Sequence, residues 1–198
     1  MKKESIRNLV FNSAWQITEA EGMAKLNVRK VANLSGCSLG SVYNAFENFD
    51  DLQFHLRAKI LTMLYSDLTE VTREGIEEDR PLQSILKKLG LTYLHFGEKH
   101  LTLWKSLFES FPASPVPDWY KNHANQGVMA ISEELAKHFD MSTDESKRIV
   151  GFFWTAMQGL SSNLLNHKVE VVSDLFQENY LNDYLDYCIE GLLEKAST

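Results

Sequence analysis

The chain has 198 residues, 44% of them hydrophobic and 24% charged, with a formal net charge of −7 at pH 7. That length buries one sizeable core or two modest ones, and the composition excludes collagen-like, low-complexity and disulfide-stapled classes. No window approaches the ~18 consecutive apolar residues of a spanning helix, and the opening Met1-Lys2-Lys3-Glu4-Ser5 leads into an amphipathic segment, not the apolar run of a signal peptide. The two cysteines, Cys37 and Cys188, sit in apolar helical patterns and are expected to be reduced, buried thiols of a cytoplasmic protein.

Almost every segment has helical periodicity, so the expected class is all-α with about nine helices. Ile6 to Glu21 carries apolar residues at 6, 9, 10, 14 and 17, and Gly22 is placed to stop it. Two short helices follow, the first capped by Asn27 and bearing Val28, Val31 and Ala32, the second capped by Ser38 and bearing Val42 and Phe46. Asp50 or Asp51 starts a long helix that fades near Gly75, and Pro81 opens the next through Ile85, Leu89, Leu94 and Phe96. Leu101 to Phe111 is a short helix ended by the run Pro112-Ala113-Ser114-Pro115-Val116-Pro117. Further helices are expected from Asp118 to His138, from the capping box Ser142/Glu145 to about Lys168, and from Ser173 to about Lys195.

Two short helices around a glycine-containing turn form a helix-turn-helix, whose second helix enters the DNA major groove. The charge distribution agrees: residues 1–49 hold six Lys/Arg against four Asp/Glu, and residues 50–198 hold fourteen against twenty-three. Gly22, Asn27, Val31-Ala32, Ser35-Gly36-Cys37-Ser38, Gly40-Ser41-Val42-Tyr43, Phe46 and Asp50-Asp51-Leu52 resemble, at matching spacing, the head of the TetR (tetracycline-repressor-like) family of bacterial regulators. The chain departs from that pattern at Thr18, where an aromatic is usual, at Leu26, where Thr is usual, and at Glu47 and Phe49, near which lysines are usual. Phe49 cannot make the phosphate contact of such a lysine, so the expectation is either a modest affinity or a backbone grip that relies on Lys2, Lys3 and Lys25.

The resemblance implies a DNA-binding domain at 1–49 and a helical regulatory and dimerisation domain at 50–198. Lys25, Asn27, Arg29, Ser38, Leu39, Gly40, Ser41, Tyr43 and Asn44 are the expected DNA-contacting set: Arg29 to guanine, Asn44 to adenine, Leu39 to a thymine methyl, and Tyr43 and Ser41 to phosphates. Val31, Cys37, Val42 and Phe46 are the expected head core. A small head makes few contacts, so a homodimer on a palindromic operator is expected. Its interface is placed in the last two helices, at Phe152, Ala156, Gly159, Leu160, Leu181, Tyr184, Leu185 and Cys188. Met63, Tyr93, Phe96, Trp104, Phe108, Tyr120, His123, Trp154, Met157 and Gln158 are candidates for a ligand pocket, with the proline run and Trp119-Tyr120 as its access loop. The expected activity is repression, relieved by a small hydrophobic or aromatic effector; the alternative is a body controlled by a protein partner. No metal-ligand spacing, phosphate loop or nucleophile elbow is present, so no cofactor, metal or catalytic residue is expected.

Overall fold

The structure, a computed structural model, describes residues 3–109, 112–168 and 179–196. The described residues form nine α-helices: α1 Lys3–Glu21, α2 Val28–Ser35, α3 Leu39–Ala45, α4 Phe49–Glu77, α5 Leu82–Lys99, α6 Leu101–Phe108, α7 Asp118–His138, α8 Thr143–Leu165 and α9 Tyr180–Ala196. They contain no strand, and none of their helices is long and apolar enough to cross a membrane. Lys2, Phe111 and Ser173 lie outside the described residues. Packing groups the chain into two compact units, residues 1–63 with 100–124 and residues 64–99 with 125–198.

In the first unit, α1 packs against α2, α3 and α6, with Val10 and Ala14 fully buried along its inner stripe. Gly22 ends the helix at φ 84°, a left-handed conformation that glycine adopts without steric cost. A short 3-10 turn, Met23–Lys25, follows it, and the Met23 N–H donates to Ser106 Oγ of α6 at 2.9 Å. Thr18 fills the site of the family aromatic differently: fully buried, its hydroxyl donates to the Ala14 carbonyl at 2.8 Å. α4 begins one residue before the acidic pair, because Asn48 Oδ1 accepts the Asp51 N–H at 2.8 Å and acts as its cap. Arg57 of α4 is fully buried, with Nη1 at 2.7 Å from Met23 Sδ, and burial pulls its guanidinium down to about 10, still charged at neutral pH.

In the second unit, α5 packs against both α8 and α9. Gly90 permits the approach: an added Cβ would stand 2.8 Å from Leu185 and 3.0 Å from Phe153. α8 opens as expected, Ser142 Oγ accepting the Glu145 N–H at 3.1 Å, and runs to Leu165. Lys87 Nζ of α5 reaches both carboxylate oxygens of Asp186 on α9, at 2.6 and 2.8 Å. The expectation of buried thiols needs correction. Cys37 and Cys188 are free but only half-buried, because Cys37 sits in the α2–α3 turn and Cys188 on the flank of α9.

Candidate nucleic-acid interface

The geometry of the helix-turn-helix follows from three local interactions. Asn27 Oδ1 accepts the Lys30 N–H at 3.0 Å and starts α2. Gly36 ends it in the left-handed region at φ 67°. Ser38 Oγ accepts the Ser41 N–H at 3.1 Å and starts α3. Between these caps, Val31, Ala32, Val42, Ala45 and Phe46 turn inward and are buried. Cys37, expected with them, is only half-buried.

The opposite face of α3 is open. Leu39 is 48% and Tyr43 56% exposed, and Ser38, Gly40 and Asn44 are exposed beside them. Ser41 is half-buried, its hydroxyl 2.9 Å from that of Ser38. Lys25 and Arg29 are exposed. Asn27 is exposed but engaged, its Nδ2 donating to the Lys25 carbonyl while Oδ1 caps α2. Lys30 lies 2.6 Å from Glu21. Glu47 is exposed and Phe49 half-buried, so neither replaces the missing lysines.

The second unit contains a small apolar cavity of about 40 Å³ between α4, α5, α7 and α8, lined by Tyr93, Trp154 and Met157 of the candidate set, together with Tyr65, Phe153 and aliphatic neighbours. Gln158 lies behind it, its Oε1 accepting the Tyr93 hydroxyl. The other candidates lie elsewhere. Phe96 is buried in the core of this unit. Met63, Trp104, Phe108, Tyr120 and His123 belong to the first unit. There Trp104 meets Phe108 with the rings tilted by 55°, Tyr120 meets Phe54 at 5.1 Å, and His123 Nε2 lies 3.0 Å from the Ala58 carbonyl. Trp119 and Tyr120 are not an access loop; they open α7 and pack on α4 residues of the first unit. Helical periodicity marked these aromatics as inward-facing without telling which core each enters.

Each of the last two helices carries an exposed aromatic residue, and Phe152 of α8 lines a groove with Gly191 and Leu192 of α9, rimmed by Glu145, Arg148 and Lys195. Phe152 is 63% and Tyr187 77% exposed, and a Cβ added at Gly151, Gly159 or Gly191 would meet none of the described residues within 4 Å. Of the expected interface set, Phe152 and Gly159 are exposed and Ala156, Leu181, Tyr184 and Cys188 half-buried. Tyr184 also donates to the Ala156 carbonyl at 3.3 Å, tying α9 to α8. Leu160 and Leu185 are corrections: at 4% and 0% exposure they belong to the core of their own chain. Tyr187, which no apolar stripe singled out, takes their place on the surface.

No protein-family model matches the sequence, and no curated protein matches it. The chain is similar in structure to a TetR-family transcriptional regulator from Streptomyces coelicolor, with a TM-score of 0.59 and 16% identity over 96% of this chain and 99% of that one. It is similar to another from Haemophilus influenzae, with a TM-score of 0.56 and 18% identity over 95% and 96%. The fold is that of the TetR-family regulators. A third structure with this TetR-like fold is the multidrug binding protein EbrR complexed with imidazole, at a TM-score of 0.58 and 16% identity over 92% and 94%. Identity this low with coverage this complete places the resemblance in helix order and packing rather than in site residues. Among the described residues no group of three or more His, Cys, Asp or Glu stands together in a way that holds a metal ion.

Proposed function

We propose that the chain is a dimeric transcription regulator that reads a palindromic DNA operator with α3 and represses until an effector binds its body. The observation that carries this reading is the open face of α3. Two independent caps and a left-handed glycine hold a seven-residue helix whose Leu39, Tyr43 and Asn44 project outward. Among the described residues a Cβ at Gly40 would meet only Ser38 Oγ, at 3.9 Å, so none of them requires a glycine there. Close approach to a groove wall does. Asn44 and Leu39 are positioned for base edges, Tyr43 for a phosphate, and Arg29 for either. Lys25 supplies part of the backbone grip that Phe49 lacks. Residues 1–49 are the reading head, and residues 50–198 the body.

The second copy docks on the open face of α8 and α9, around Phe152, Gly159 and Tyr187. The effector is apolar and enlarges the cavity around Tyr65, Tyr93 and Trp154. At about 40 Å³, that cavity is an order of magnitude below the ~300–1,000 Å³ of ordinary ligand sites. The ligand therefore acts by favouring an expanded body, and it lowers DNA affinity by no more than its preference for that state. The same small volume favours a second reading, in which a protein partner controls the body.

On the duplex that the protein enriches from a random pool, Tyr43→Ala and Asn44→Ala each lower affinity about 5- to 100-fold, the ~1–3 kcal/mol of one good contact. The helical circular dichroism stays unchanged. Affinity also falls steeply with added salt, because each neutralised phosphate releases counterions. Unchanged affinity in both variants removes α3 from the interface.

A further inference from the structure

At the end of α3, a groove of about 720 Å³ is lined by Arg7 of α1, Asn44, Phe46 and Glu47 of the α3–α4 corner, Asp51 and His55 of α4, and Trp119 of α7. His55 is its centre. The imidazole stacks on Trp119 at 4.3 Å and 20° and meets Phe46 at 5.4 Å. Its Nε2 lies 2.9 Å from Arg7 Nη2 and 3.7 Å from Asp51 Oδ1. Arg7 in turn lies over the Phe46 ring, at 4.5 Å from its centroid. Asp51 Oδ2 accepts the Glu47 N–H at 3.3 Å. Arg7 and Asp51 thus compete for one nitrogen.

A guanidinium only donates. The contact with Arg7 therefore requires a neutral His55 with its proton on Nδ1. A second proton converts Nε2 into a donor, which repels Arg7 and seeks Asp51. The charged ring keeps its place on Trp119, since a cation over an indole face is attracted to it.

We propose that Arg7, His55 and Asp51 form a proton-operated latch: neutral His55 ties α1 and Phe46 to α4, and protonation passes Nε2 from Arg7 to Asp51 and frees Arg7. The latch rests on packing within this unit and not on the DNA-reading assignment. The charged groups around His55 are Glu4 and Arg7 from α1, Glu47 from the corner, and Asp51 and Lys59 on its own helix. From α7 comes Asp118, beside Trp119. Lys59 is engaged over the Trp15 ring at 3.8 Å, and Asp118 pairs with Lys121 at 2.9 Å.

Burial, and secondarily Arg7, hold the His55 pKa below its ordinary 6.5 against the pull of Asp51 and Glu47. The folded unit accordingly favours the neutral ring. Its stabilising contribution is complete above pH 6.5 and is lost as pH falls from there through the folded value.

The test is an NMR titration of the full chain from pH 8 to 4.5, the His55 resonance being identified by its absence in His55→Gln, with denaturant unfolding across the same range. The wild-type midpoint is expected below 6.5, and both Arg7→Met and Arg7→Gln move it upward. Wild-type stability falls as the pH drops below 6.5, relative to His55→Gln, whose amide oxygen accepts from Arg7 without titrating. A midpoint indifferent to both Arg7 variants, or parallel stability profiles for wild type and His55→Gln, overturns the latch. Arg7 is exposed and His55 half-buried, so these variants fold; either Arg7 variant stands in for the other, and His55→Asn for His55→Gln.

Discussion

Phe152→Asp yields a folded monomer that has lost the palindrome. The side chain is 63% exposed on its own chain, so a charge there costs the protomer little, within about 0.5 kcal/mol for a surface site. In the dimer the same carboxylate would be buried against the partner's apolar face without a counter-ion, which is strongly unfavourable. Losing the second head removes the effective-concentration advantage of two linked readers, and affinity for the full palindrome falls about 10²–10⁴-fold. Sedimentation and duplex titration read the two effects separately. A dimer of unchanged affinity contradicts the docking face. Leu185→Asp makes the contrast: at 0% exposure its failure is one of folding and appears in circular dichroism before any question of assembly.

Trp104→Ala has the largest expected effect on stability. Trp104 is fully buried in the first unit and packs 5.3 Å from Phe108. Removing an indole from such a site costs roughly 3–5 kcal/mol, the transfer term plus the void left behind. That is a large share of the ~5–15 kcal/mol by which a domain is stable. Among the described residues its indole N–H meets no hydrogen-bond acceptor. Trp104→Phe therefore loses ring area but also relieves a buried donor, an offset of about 1–3 kcal/mol. Urea unfolding should place Trp104→Phe close to wild type and Trp104→Ala far below it. Equal losses would mean that the N–H is satisfied.

These two residues show what was legible in the chain. Asn27, Gly36 and Ser38 were readable because caps and left-handed turns are decided within four residues of sequence. The wide stripes of α8 and α9 announced two packing partners. A stripe has no label for which side meets which, and so buried Leu160 and Leu185 have the spacing of interface residues while exposed Tyr187 falls outside the stripe. The aromatics divide for a similar reason: Trp104, Tyr120 and His123 have the spacing of a pocket lining, yet long-range packing carries them to the first unit. Arg57 was invisible, because a charged residue in an apolar register reads as exposed until its neighbours close over it. The Arg7–His55–Trp119 cluster joins residues 48 and 64 positions apart, a separation at which no local pattern exists.

The central claim is that the face of α3 bearing Leu39, Tyr43 and Asn44 reads DNA as one half of a two-fold pair. Selection of bound duplexes from a random DNA pool by the full chain tests it most directly. An enriched palindrome with half-sites about one helical turn apart is expected, lost from the selection when Tyr43 and Asn44 are both alanine. Recovery of no enriched sequence, or of the same sequence by the doubly substituted protein, contradicts it.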